Sequence, residues 1–145
     1  MIVLLKICIS SHNNPLFAAV CSKLAGKALI IDNFSADCNI LVPSLVTIFD
    51  GYGDVCVLDS SRLQELSGKG KIGYAVSCGM GERDTVNFSS IDLDKAVLCV
   101  QRDINFRNFT LERGEFPTFY DQNLTIWQNL AVSFCCICAE INKKE

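Results

Sequence analysis

The stretch that decides the fold is Ile2-Val-Leu-Leu-Lys-Ile-Cys-Ile9, followed by Ser10-Ser11-His12-Asn13-Asn14 and then by Pro15 to Leu24. The first segment is an apolar run that predicts a buried β-strand, and the last predicts a helix whose apolar residues share one face. The polar residues between them stand where a nucleotide-binding α/β domain carries a glycine-rich phosphate loop ending in Lys-Ser or Lys-Thr. This loop has no glycine and no lysine. The sequence therefore indicates the scaffold of such a domain without its phosphate-binding chemistry.

Strands and short helices alternate through the first half of the chain. The first helix has Asn14 as its predicted N-cap and Gly26 just past its end. Further strands and helices are predicted, in chain order, at Ala28–Asp32 (strand), Pro43–Phe49 (helix), Asp54–Asp59 (strand), Ser61–Leu66 (helix) and Ile72–Ser77 (strand). This alternation is typical of a parallel sheet covered by helices.

The pattern changes after Gly79, where strands follow one another without helices. These strands are predicted at Asp84–Ile91, Ala96–Arg102 and Phe109–Phe116. From Leu124 to Ile141 apolar residues recur every three or four positions, which predicts an amphipathic helix. We therefore expect one domain, residues 1–145, with an α/β fold: a Rossmann-like, mainly parallel sheet with an antiparallel extension and a C-terminal packing helix.

Composition narrows the possible partners. Half of the 145 residues are apolar, a fifth are charged, and the net charge is −3. Basic residues form no cluster that matches a phosphate backbone, so we expect no nucleic-acid partner. The apolar start is too short for a signal peptide, and polar residues within Leu124–Ile141 argue against a spanning helix. We expect a cytoplasmic protein that does not associate with membranes.

The nine cysteines predict packing rather than chemistry. Cys8, Cys56 and Cys99 each stand between apolar residues, where cysteine behaves as a small hydrophobe. That pattern is typical of a reduced core and not of a disulfide framework. Cys135-Cys136-Ile-Cys138 has no second pair at zinc spacing, and His12 is the only histidine. We therefore expect no metal site.

From Val57 onward the chain resembles the central domain of the Mur ligases, which attach amino acids to the peptidoglycan precursor. The segments that carry this resemblance are Val57-Leu58-Asp59-Ser60-Ser61, Gly73-Tyr-Ala-Val-Ser-Cys-Gly79, Asp84-Thr-Val-Asn-Phe-Ser-Ser-Ile91 and Thr125-Ile-Trp-Gln-Asn-Leu-Ala-Val132. With Cys99-Val-Gln-Arg102 and Glu115-Phe-Pro117, the chain also resembles small proteins of clostridia-type bacteria that share a miniature Mur-like layout. The resemblance implies the same α/β scaffold here.

Departures from the Mur pattern bear on activity. The Mur phosphate loop needs glycines and a lysine, which Ser10–Asn14 does not supply. The family's asparagines on the late helix, one of which reads adenine, would fall on Thr125 and Gln128, and its magnesium-binding carboxylate, histidine and modified lysine have no clear counterpart. The resemblance therefore implies the fold without ATP-driven ligation. We expect no bound cofactor, and the missing phosphate loop and catalytic constellation argue against an enzyme without deciding the matter.

The candidate ligand-binding residues stand where parallel strands are predicted to end, which is where open α/β sheets place ligands. They are Ser10, Ser11, His12, Asn13, Asn14, Asp59, Cys78 and Gly79. The helix that follows the first loop can hold an anion at its N-terminus. Ordinary capped turns are the alternative for both loops.

Three functions remain open on the sequence. The first is a non-catalytic Mur-like module that binds a nucleotide-like or cell-envelope precursor ligand. The second is an interaction protein, such as a homodimer, that uses an unpaired sheet edge or the late helix with Trp127 and Phe134 on its apolar face. The third is a thiol-dependent enzyme or redox sensor that uses Cys78 or Cys38 with a depressed pKa.

Overall fold

The computed structural model describes residues 3–12, 14–43, 46–62 and 65–144. Among the described residues, one helix lies near the start of the chain and one at the end, and the elements between them are strands. In chain order they are β1 (Leu5–Ile9), α1 (Asn14–Lys23), β2 (Ala28–Ile31), β3 (Cys38–Val42), β4 (Val46–Ile48), β5 (Tyr52–Asp59), β6 (Glu65–Ser67), β7 (Lys71–Cys78), β8 (Val86–Asp92), β9 (Lys95–Val100), β10 (Ile104–Asn105), β11 (Thr110–Leu111), β12 (Gly114–Phe119) and α2 (Ile126–Lys144).

Eight strands form one sheet in the order β12-β9-β8-β7-β5-β3-β1-β2. Five neighbouring strands of this sheet, β2, β1, β3, β5 and β7, are parallel. Strand β8 continues that direction through a single residue pair, Cys78 with Val86. Strands β8, β9 and β12 pair antiparallel. The sequence prediction of an α/β fold with a mainly parallel sheet, an antiparallel extension and a C-terminal helix is therefore confirmed.

Two predicted short helices are wrong. Residues 46–48, inside the predicted helix Pro43–Phe49, form β4, and residues 65–67, which overlap the end of the predicted helix Ser61–Leu66, form β6. These strands pair in parallel, Val46 with Glu65 and Ile48 with Ser67, and make a separate two-stranded sheet. The β-branched run Val46-Thr47-Ile48 fits a strand better than a helix. Residues 44, 45, 63 and 64 lie outside the described residues.

The middle of the C-terminal helix α2 is enclosed on all sides. Seven consecutive residues, 129–135, are fully buried, which covers two helical turns on every side. The helix contacts α1, the edge strand β12 and the strand next to the opposite edge, β1. On the far side, Lys23 at the end of α1 stands 4.2 Å above the ring of Phe119 in β12. The large sheet therefore curls around α2, and α1 comes close to the edge strand β12.

Because α2 is enclosed, its apolar face packs in the core of the protein. Phe134 is fully buried and Trp127 is half-buried against the same core. The N-terminus of α2 is closed by a capping box, in which the Gln128 amide donates to Thr125 Oγ1 (3.1 Å) and the Thr125 amide donates to Gln128 Oε1 (2.9 Å). The described helices include none that is long and apolar enough to cross a membrane.

Candidate functional site

The loop after β1 is organised by Asp32, which directly follows β2. Ser11 donates its hydroxyl to Asp32 Oδ2 at 2.6 Å and its amide to the same oxygen at 3.2 Å. Ser10 is nearly buried, and its hydroxyl accepts the His12 amide at 3.2 Å. Since β1 and β2 are neighbours, these contacts tie the ends of two parallel strands together at one edge of the sheet.

The loop after β1 carries the negative charge of the Asp32 carboxylate rather than free donors for an anion. Asp32 is exposed, and its hydrogen bonds from the Ser11 hydroxyl and amide lower its pKa. The Ser11 amide, which an anion would need, is already bonded to that carboxylate. Pro15 removes a further N–H from the first turn of α1. Asn13 lies outside the described residues, and Asn14 begins the helix.

A second polar group lies at the ends of β5 and β7. Asp59 is nearly buried, and its Oδ1 accepts both the amide (3.0 Å) and the hydroxyl (2.7 Å) of Ser61. Asp59 stands opposite Cys78 in the sheet, and the Ser60 amide donates to the Cys78 carbonyl at 3.0 Å. Two predicted site residues, Asp59 and Cys78, are therefore direct neighbours.

Gly79 is required by the packing of this second group. A Cβ at this position would overlap the Ser60 hydroxyl and lie 2.6 Å from Asp84 Oδ2. Asp84 is nearly buried, and its Oδ2 accepts the Gly81 amide at 2.8 Å. The turn thus closes around Asp84, and the glycine serves a close approach between two loops.

The Ser11–Asp32 group and the Asp59–Cys78 group both lie at the carboxyl ends of the parallel strands, but they do not form one continuous site. Strand β3 runs between β1 and β5, so Ser10–His12 and Asp59 stand two strand spacings apart, about 10 Å. The strand order also reverses between β1 and β3, because β2 lies on one side of β1 and the later strands on the other. A crevice at such a reversal is the usual ligand position in an open α/β sheet.

The predicted thiols are placed for packing. Cys78 is fully buried, and burial raises its pKa, as do the neighbouring Cys135, Asp84 and Asp59. Cys38 is also buried, and its pKa is raised by the adjacent Cys8 thiol and by burial. A reactive thiol needs exposure and a lowered pKa, so these features favour a structural role.

Sequence reasoning missed Asp32 as a site residue. Its signal was present: it is the last residue of the predicted strand Ala28–Asp32, some twenty residues after the loop at Ser10–His12. The described residues contain no group of three or more His, Cys, Asp or Glu side chains placed to hold a metal ion.

Comparison of the chain with protein-family models, with curated proteins and with solved structures found no match.

Proposed function

We propose that this protein is a non-catalytic binding module with a Rossmann-like, Mur-like scaffold, and that it holds a nucleotide-like or cell-envelope precursor ligand at the carboxyl edge of its parallel strands. The part of the ligand that it reads is a vicinal diol, such as the ribose of a nucleoside. A cytoplasmic location belongs to the same proposal, because the cysteines are all free thiols.

The observation that carries the proposal is the contact between Ser11 and Asp32. In dinucleotide-binding folds an acidic residue about twenty positions after the first loop accepts a hydrogen bond from a ribose hydroxyl. Asp32 directly follows β2, lies twenty residues after His12, and is exposed. Its Oδ2 is fixed by Ser11, which holds the carboxylate in one orientation.

The same contact argues against recognition through phosphate. A phosphate at this loop would meet the negative charge of Asp32 and compete with it for the Ser11 amide. Glycines that allow close approach of the backbone are missing from Ser10–Asn14. Binding therefore depends on the nucleoside portion, and Mg²⁺ adds little.

The test is the melting temperature of the protein with a graded set of ligands. Adenosine, uridine, ATP with and without Mg²⁺, and a UDP-linked muramyl precursor are compared with 2′,3′-dideoxynucleosides. We expect a saturable rise with at least one ribose-containing compound and none with its dideoxy analogue. At a hundred times the dissociation constant the stabilisation is about 2.7 kcal/mol.

Two variants assign the site. Asp32→Asn removes the charge and weakens binding, whereas Glu112→Gln makes the same change of charge at an exposed position on the loop before β12. If none of these compounds shifts the melting temperature, or if Asp32→Asn binds as the wild type does, the proposal is wrong. An equal shift with the dideoxy analogue would exclude the diol as the group recognised.

A further inference from the structure

A groove of about 480 Å³ lies at the C-terminal end of α1, whereas the Ser11–Asp32 contact precedes the N-terminal end of that helix. The end of α1, the second half of α2 and the edge strand β12 form the groove. Its volume lies within the range of small-molecule sites. The groove is lined by apolar side chains from all three elements: Leu24, Phe116, Pro117, Phe119, Ile137 and Ile141. A ligand that fills it therefore needs a substantial apolar part.

The charged residues at the groove are mainly cationic. Lys23, Lys27 and Lys144 line it together with a single acidic residue, Glu140. Lys23 Nζ stands over the Phe119 ring at 4.2 Å, and Lys27 Nζ lies 3.7 Å from Glu140 Oε1. The four side chains carry two net positive charges on a chain whose own net charge is −3.

The C-termini of α1 and α2 reduce this excess of positive charge. Both α1 and α2 end at the groove, and each C-terminus carries the equivalent of about half a negative charge. About one positive charge is left uncompensated. That remainder matches a singly charged anion better than a doubly charged phosphate monoester.

The charges of Lys23 and Lys27 affect the pKa of Cys136, a thiol that lines the groove. Cys136 is half-buried and lines it, and burial raises the pKa of this thiol to about 11. Lys27 and Lys23 oppose that rise, because their positive charges favour the thiolate. Glu140 adds to the rise, so the space beside Cys136 lies within reach of both lysine charges and of the one acidic charge at the groove.

We propose that this groove binds a single long-chain carboxylate, such as a fatty acid. Its apolar chain lies along Phe116, Phe119 and Ile141, and its carboxylate lies between Lys23 and Lys27. An added peptide strand fits less well, because Pro117 removes a backbone donor from the edge strand. The site is separate from the loop at Ser11 and does not depend on the diol proposal.

Binding is tested by titration calorimetry with dodecanoate below its micellar concentration. Dodecanol, dodecyltrimethylammonium and acetate supply the chain without charge, the chain with the opposite charge, and the head group alone. We expect binding of dodecanoate and weaker or no binding of the other three. The double variant Lys23→Gln with Lys27→Gln is expected to weaken binding about five- to tenfold, and Lys69→Gln with Lys71→Gln, two exposed lysines away from the groove, is expected to leave it unchanged.

Alkylation locates the bound molecule without any variant. Dodecanoate is expected to slow the reaction of Cys136 with a maleimide at least severalfold, measured by peptide mass spectrometry. Cys99, which is also half-buried but does not line the groove, is the internal control. Equal binding of dodecanol or of the cationic detergent, or binding that leaves Cys136 unprotected, would overturn the proposal, as would the absence of dodecanoate binding.

Discussion

Arg107 Nε lies 2.6 Å from Oδ1 of Asp54, a carboxylate whose side chain is 1% exposed, whereas the arginine side chain is 54% exposed. Oδ2 of the same carboxylate accepts the Asn39 side-chain amide at 3.0 Å and the Arg107 backbone amide at 3.3 Å. The guanidinium also lies 4.7 Å from the centre of the Tyr52 ring. A single buried carboxylate thus ties the loop that joins β10 to β11 to the amino-terminal half of the sheet.

Arg107→Ala is expected to destabilise the protein because it leaves the Asp54 charge buried. A fully buried pair costs 3–5 kcal/mol when one partner is removed, and the exposure of Arg107 reduces this to about 2 kcal/mol. Urea denaturation gives the value. Adding Asp54→Asn to this variant should restore part of the loss, and a double-mutant cycle with no coupling would show that the pair contributes nothing.

Gly79→Ala is expected to cost about 1–3 kcal/mol, because the new methyl group would overlap the Ser60 hydroxyl and crowd Asp84. Ser60→Ala in the same chain removes the overlapping oxygen and should recover part of the stability. Gly81→Ala is the matched control, since its Cβ would lie 3.0 Å from one Asp84 oxygen and meet no second group that closely. Equal losses at both glycines would contradict the expected order.

The Asp32 carboxylate should titrate below the usual aspartate range. Hydrogen bonds from Ser11 lower its pKa in the folded protein, so they stabilise the fold above the unfolded-state pKa, and that contribution is lost as the pH falls through the folded-state pKa. Ser11→Ala should raise the pKa of Asp32 towards its ordinary value. Carboxyl-carbon NMR titration measures it, with Ser35→Ala as a control on the loop after β2. An unchanged pKa in Ser11→Ala would show that the contact does not persist in solution.

The cysteines should react in an order set by burial. Cys78, Cys135 and Cys138 are fully buried and their pKa values are raised by burial, so they should be alkylated only when the protein unfolds. Cys136, with a pKa of about 11, should react slowly at pH 7 and faster as the pH rises towards that value. Mass spectrometry of native and urea-treated protein resolves the sites. Rapid native labelling of Cys78 or Cys38 would revive the thiol-dependent function.

The main sheet was predictable because its strands are unbroken apolar runs. Asp54–Asp59 and Ile72–Ser77 fall within β5 and β7 of the structure. Both faces of β5 are covered, whereas the first half of β7 has one exposed face. The helices at Pro43–Phe49 and Ser61–Leu66 were wrong because β4 and β6 form by pairing with each other across about twenty residues. Such pairing leaves no periodic signal within either segment, and β3 at Cys38–Val42 was missed as a short strand between polar residues.

The position of the candidate site residues at the strand ends was predictable, but the contacts that they make with other residues were not. Strand ends place Ser10–His12, Asp59 and Cys78 at one edge, and the structure puts them there. The contact of Ser11 with Asp32 joins residues twenty-one positions apart, which depends on β1 and β2 being neighbours. Burial of Cys78 follows from α2 packing over the sheet and cannot be read from its own glycine-flanked turn.

The enclosure of α2 sets an order on how this chain can mature during translation. The buried residues of α2 share one core cluster with α1 and with most strands of the sheet, so the strands made earlier lack a large part of that core until the helix has been synthesised. Until then the nascent sheet presents a wide apolar surface, which is the kind of surface that holdase chaperones recognise and that aggregates at high concentration. The helix that is made last therefore completes the core of the domain.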